Sequence, residues 1–321
     1  MEIIDAHAHV LPFIAGKRNQ MLNTGEFYGK VRRGSKGEWR PGARRGLVQF
    51  APPSFHPTAV SPEMLIAYME WAGVDRAVLM QAPMYGNHNE FTAAVTKANP
   101  TRFPASVGLA DPRSDGQGVD DLEFIKDLGH RGVKLEIPDQ PFWIDDETYN
   151  PFWQKIEQLG LTCCVDLGWD PPVNPYNFQI DGLQKVVSRF PKINFLIIHL
   201  GISYLTDVSQ KYPFPILQKT LALKQYPNVW FDITGLEEFC EDEKPPADEY
   251  PFPRAQEIVR AAVESVGSER LIWGTDFPSI LVYCTYPQSL NLVRYHCSFL
   301  SEKDRENILG GTVRRLFRLG T

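Results

Sequence analysis

The chain has 321 residues, 43% of them hydrophobic and 22% charged, with a net charge of −6. That is the balance of an ordinary globular chain whose core needs no disulfide staple. An acidic chain with a pI of about 5.7 argues against nucleic acid or an anionic membrane as partner, and no apolar run is long enough to span a bilayer. The five cysteines form no CxxC pair, and acidic Glu2 and Asp5 stand where a signal peptide would be basic. Free thiols and a cytoplasmic location are the expectation.

The first element is Glu2-Ile3-Ile4-Asp5-Ala6-His7-Ala8-His9, a strand ending in two histidines one residue apart. Alternation along a strand turns His7 and His9 to one face, where two imidazoles need a partner. A divalent metal is such a partner. A long irregular stretch follows over about residues 11–58, rich in Gly, Arg and Lys and including Arg44 and Arg45. A loop of this length reads as a lid or a surface insertion, and its positive charge suits an anionic substrate.

From Ser61 onward, helix and strand alternate. Ser61-Pro62 starts a helix that stops at Gly73. Apolar strands are then predicted over 75–82, 103–109, 132–137, 161–167, 193–199, 228–233 and 270–275, with helices between them. A further acidic, proline-rich loop spans 237–253. Counting from Glu2 there are eight strands. Short, wholly apolar strands separated by helices imply a parallel sheet covered on both faces. Eight such units close into a (β/α)8 barrel, the TIM-barrel α/β fold. No GxGxxG follows the first strand, which disfavours an open doubly wound sheet. No repeat or linker divides the chain, so one domain over 1–321 is expected.

A barrel demands polar groups at the strand ends. His7 and His9 close the first strand and Glu136 the fourth, with Lys134 on the same face. Asp166 closes the fifth, His199 the sixth and Asp232 the seventh, and Asp276 follows the eighth. Glu136 reads as an extra metal ligand, a substrate contact or the partner of Lys134.

Four motifs carry a family resemblance: Ile4-Asp5-Ala6-His7-Ala8-His9, Ile198-His199-Leu200-Gly201, Gly274-Thr275-Asp276-Phe277-Pro278, and the terminal run from Ile308 to Phe317. Together they resemble the amidohydrolase superfamily, in its amidohydrolase-2 branch of metal-dependent decarboxylases and hydrolases. The resemblance implies metal ligation by His7, His9 and Asp276, with zinc or manganese as the ion. It implies a polarising or proton-transfer role for His199 and a catalytic role for Asp276. Where the branch carries another metal-binding histidine, this chain has Asp166, which either ligates through oxygen or marks a lost ligand. The implied activity is non-oxidative decarboxylation, slightly favoured, or hydrolysis of a small carboxylated substrate. The alternatives are a metal-independent lactonase and a non-catalytic binding barrel. Family habit implies a homodimer.

Overall fold

The computed structural model describes residues 1–12, 30–33, 46–49, 59–114, 117–137, 140–168, 176–201, 212–237 and 250–320. Its strands are β1 (Ile4–Ala8), β2 (Lys30–Arg33), β3 (Gly46–Gln49), β4 (Arg76–Leu79), β5 (Ala105–Leu109), β6 (Gly132–Glu136), β7 (Thr162–Asp166), β8 (Phe195–Ile197), β9 (Val229–Asp232) and β10 (Leu271–Ile272). Eight of them form one sheet in the order β1-β4-β5-β6-β7-β8-β9-β10, each parallel to its neighbour. The sheet closes where Ala6 N donates to Trp273 O at 3.0 Å and His9 N to Phe277 O at 2.8 Å. The result is the (β/α)8 barrel that the strand count predicts. Every sheet residue from β5 to β8 is buried, as a sheet covered on both faces requires.

The helices form where apolar spacing and caps dictate. Ser61 Oγ accepts from Met64 N at 3.2 Å to start α1 (Pro62–Ala72), and Gly73, at φ 76°, ends it in the left-handed conformation. The Ile180–Arg189 helix buries Leu183, Val186 and Val187, the i, i+3, i+4 stripe of an amphipathic helix. Each such side chain contributes roughly 1.5–3 kcal/mol when fully buried.

Three expectations need correction. The insertion is not irregular throughout, because β2 and β3 pair antiparallel with Val31 opposite Val48. The run 193–199 is strand only over Phe195–Ile197, and His199 and Leu200 leave it at φ 51° and 54°. The last strand is cut to Leu271–Ile272, after which the chain turns into the loop that carries Asp276. The basic residues Arg44 and Arg45 lie outside the described residues. Cys163, Cys164, Cys284 and Cys297 are buried free thiols. Among the described residues, no helix is long and apolar enough to cross a membrane.

Candidate active site

The pairing register of β1 with β4 slips between Asp5 and Ala8. The slip sends Asp5 and His7 to different neighbours, although strict alternation would keep them together. Asp5 meets the Tyr286 hydroxyl at 2.6 Å, while His7 meets Asp232, Asp276 and His199. His7 and His9 stay together, their ring centroids 5.2 Å apart. Gly274 makes room for them. A Cβ there would lie 2.7 Å from both His7 Cβ and Thr234 Oγ1, so any side chain would push β10 off β1.

Each histidine is held from behind. His7 Nδ1 lies 2.9 Å from Asp232 Oδ2, and His9 Nδ1 lies 2.9 Å from the Met80 carbonyl oxygen. Both partners only accept, so both Nδ1 atoms carry the hydrogen and donate. The Nε2 lone pairs therefore point forward, and both converge on Asp276 Oδ1, His9 at 2.9 Å and His7 at 3.5 Å. His7 Nε2 is buried and makes no hydrogen bond. Lone pairs cannot face a carboxylate oxygen without a proton or a cation between them. The ligand atoms of His7, His9 and Asp276 lie within 4.8 Å of one another, a spacing that a divalent ion spans. This donor set of two imidazoles and a carboxylate, each imidazole braced by a second acceptor, fits zinc or manganese.

The electrostatics agree. Burial drives His7 down to about 4, only partly opposed by Asp232, so its ring is neutral and ready to ligate at neutral pH. Burial alone would raise Asp276, but the imidazoles of His9, His7 and His199 around it outweigh burial and hold it well below the usual carboxylate range, so it stands ready as an anion. Burial lowers His199, yet Asp166, Asp276 and Asp232 outweigh it and raise its pKa above the ordinary value. His199 Nδ1 donates to the Thr234 carbonyl oxygen at 2.8 Å, and its ring stacks on His7 at 5.3 Å.

Two of these residues sit in strained backbone. His199 at φ 51° and Asp276 at φ 55° occupy the left-handed region. Such residues cost of order 1–3 kcal/mol each and persist where surrounding contacts enforce them. The enforcing contacts at Asp276 come from Asp5. Its Oδ1 accepts from His7 N and Thr275 N, both at 3.0 Å, and its Oδ2 accepts from Thr275 Oγ1 and Tyr286 OH, both at 2.6 Å.

The structure thus brings His7, His9, Asp276 and His199 together. Asp166 is not in the three-residue metal group, and its Oδ1 accepts from Gly168 N at 3.0 Å, the turn geometry that an Asp before Leu-Gly favours. Its charge nonetheless bears on His199 and Lys134. Glu136 lies opposite Asp166 in the β6–β7 ladder. Sequence reasoning placed Asp232 at a strand end without a role, and it is the carboxylate behind His7. Asp5 was missed. Its signal is a charged residue in an otherwise apolar strand, two before the histidine.

A family model described as Amidohydrolase matches residues 4–319. Two curated relatives are hydrolases of lactones by name. The L-fucono-1,5-lactonase of Burkholderia ambifaria is 25% identical over 80% of this chain and 85% of its own. The 4-sulfomuconolactone hydrolase of Hydrogenophaga intermedia is 25% identical over 79% of this chain and 78% of its own. Among solved structures, an amidohydrolase from Burkholderia multivorans with bound zinc superposes with a TM-score of 0.71 at 18% identity, covering 100% of both chains. A 5-carboxyvanillate decarboxylase from Sphingomonas paucimobilis gives 0.67 at 17% identity, covering 99% of both. These two likenesses carry the barrel fold.

Proposed function

The chain belongs to the amidohydrolase family, whose model spans nearly all of it, and from that premise we propose that it is an enzyme hydrolysing a small, anionic lactone with one divalent ion, zinc first, held by His7, His9 and Asp276. The observation that carries this reading is the convergence of two Nε2 lone pairs on one Asp276 oxygen, with His7 Nε2 buried and unsatisfied. The ion supplies Lewis acidity and a water of lowered pKa. The lactone substrate follows from the names of the two curated relatives.

The protein groups divide the proton work. Asp276 takes a proton from the attacking water as its oxygen bonds to the lactone carbonyl carbon. The ring carbon–oxygen bond then breaks, and protonated His199, its pKa raised, gives the departing ring oxygen its proton. The product is the open hydroxy acid, and solvent returns both side chains to their starting states. Asp232, through His7, fixes the ring against rotation.

Decarboxylation is the second reading, favoured by the same His199, which as an acid is a proton source for a carbon that loses carbon dioxide. Zinc analysis of purified protein, followed by a panel of aldonolactones and muconolactones set against aromatic and muconate-type acids, tests both. Turnover of lactones with about one equivalent of zinc is expected. Carbon dioxide release from the acids, with every lactone inert, would replace the first reading by the second. A protein whose zinc content ignores removal of His7 and His9 would end the metal assignment.

A further inference from the structure

β6 carries two charges of opposite sign, Lys134 and Glu136, two residues apart on one face of the strand. Lys134 is 3% exposed and Glu136 1%. Lys134 Nζ stands 3.7 Å from Glu136 Oε2, within ion-pair range and beyond an ordinary hydrogen bond. An ammonium has three N–H donors, and among the described residues no hydrogen bond reaches those of Lys134. A largely buried ammonium whose donors the protein leaves uncommitted has its use toward something else.

The position of Lys134 shows what that use is. Its charge bears directly on His7 and His199, and it is influenced in turn by Glu136, Asp166 and Asp276. It lies near the C-terminal end of β6, three strands round the barrel from β1 and within electrostatic reach of those groups. Burial works against its charge, but those carboxylates outweigh burial and keep it an ammonium. An amine held in this state is poorly suited to forming a carbamate with carbon dioxide, which requires the neutral nitrogen.

We propose that Lys134 is a catalytic residue of this site, donating to the carbonyl oxygen of the substrate and holding the oxyanion that forms when water adds. It does the work of a second cation, so the centre takes one divalent ion rather than two. This inference rests on the lactone-hydrolysis reading. No proton need leave Lys134, since the N–H donates through addition and the oxygen returns to a carbonyl when the ring bond breaks.

The test compares zinc-loaded wild type with Lys134→Met and Lys134→Ala. Loss of one oxyanion donor lowers kcat about 10²–10³-fold. The expectation is a fall of that size in both variants, with zinc content unchanged at one equivalent. Ethylamine, and not ethanol, should restore part of the Lys134→Ala activity in a saturable manner. That rescue also answers the case in which Lys134→Met folds poorly. Undiminished kcat in a folded Lys134→Met protein would overturn the proposal. So would loss of zinc with the lysine, or a second zinc equivalent accompanied by a carbamate carbon signal after growth in ¹³C-bicarbonate. If wild type opens no lactone, the function reading fails separately, and Lys134 is judged by calorimetry with D-gluconate, an anion of the product class. Binding at least tenfold tighter in wild type than in Lys134→Met then supports it. Equal affinity, or no binding to wild type, overturns it.

Discussion

The two walls of the barrel mouth are built differently. On the wall of β1, β9 and β10 the histidines are tied by short bonds, His7 to Asp232 and His9 to the Met80 carbonyl, both at 2.9 Å, with Asp5 clamping the turn behind them. On the wall of β6 and β7, Lys134 and Glu136 face each other at 3.7 Å, and Asp166 folds one oxygen back on its own turn. The first wall has its geometry before any ligand arrives. The second is held more loosely, with Lys134 Nζ beyond ordinary hydrogen-bond distance of Glu136. Under the proposed function this is a division of labour, with the tied half to hold an ion and the looser half to meet a substrate.

Mutation can break that contrast, and the largest effect should come from the tied wall. His7→Ala combined with His9→Ala should remove bound zinc and lower lactone hydrolysis by at least about 10³-fold, because acid–base and metal contributions fall together; elemental analysis and steady-state rates measure both. His199→Gln should lower kcat by about 10²-fold with zinc retained, as expected for a lost proton donor, and stopped assays at saturating substrate will show it. Asp232→Asn should weaken zinc affinity by about 10–100-fold, the usual cost of an outer-shell partner, with kcat recovered in excess zinc in a chelator-buffered titration.

The smallest effect concerns stability. Burial raises Asp5 from 3.8 to about 6, against the hydrogen bonds from Thr275, Tyr286 and His7. A carboxyl raised in the folded state contributes stability that is fully present below the unfolded value of 3.8 and is lost as pH rises through about 6. The span corresponds to an upper bound of about 3 kcal/mol. Asp5→Asn, which has no proton to lose, should flatten the fall in Tm between pH 4 and 6 relative to wild type, as read by scanning calorimetry. An equally steep fall in the variant would assign that pH dependence elsewhere.

Much of this was legible in the chain. The barrel follows from eight apolar strands, and alternation alone puts His7 and His9 together. Asp276 was legible because a polar residue after Leu271-Ile272-Trp273-Gly274 has nowhere to go but the mouth. What stayed hidden depends on partners distant in sequence. The role of Asp232 needs His7, 225 residues away, and that of Asp5 needs Thr275, 270 residues away. Lys134 read as a counter-charge to Glu136 or as a carboxylated bridging ligand, because sequence gives adjacency and not the 3.7 Å spacing of the pair. The slip in β1 was equally invisible, since nothing in Asp-Ala-His-Ala-His departs from regular alternation. Decarboxylation and hydrolysis were both legible as readings, and the proposal of lactone hydrolysis draws on the names of the relatives rather than on geometry.

The closure of the barrel governs when the candidate site can form. His9 and Asp276 are 267 residues apart, and they meet only when the last strand docks against the first. The site cannot exist until the chain through Asp276 has been made, so a shorter nascent chain carries the histidines without their carboxylate. On the proposed metal reading, ion capture follows folding as a separate event, and an ion held by His7, His9 and Asp276 would favour the closed barrel by RT ln(1 + [L]/Kd).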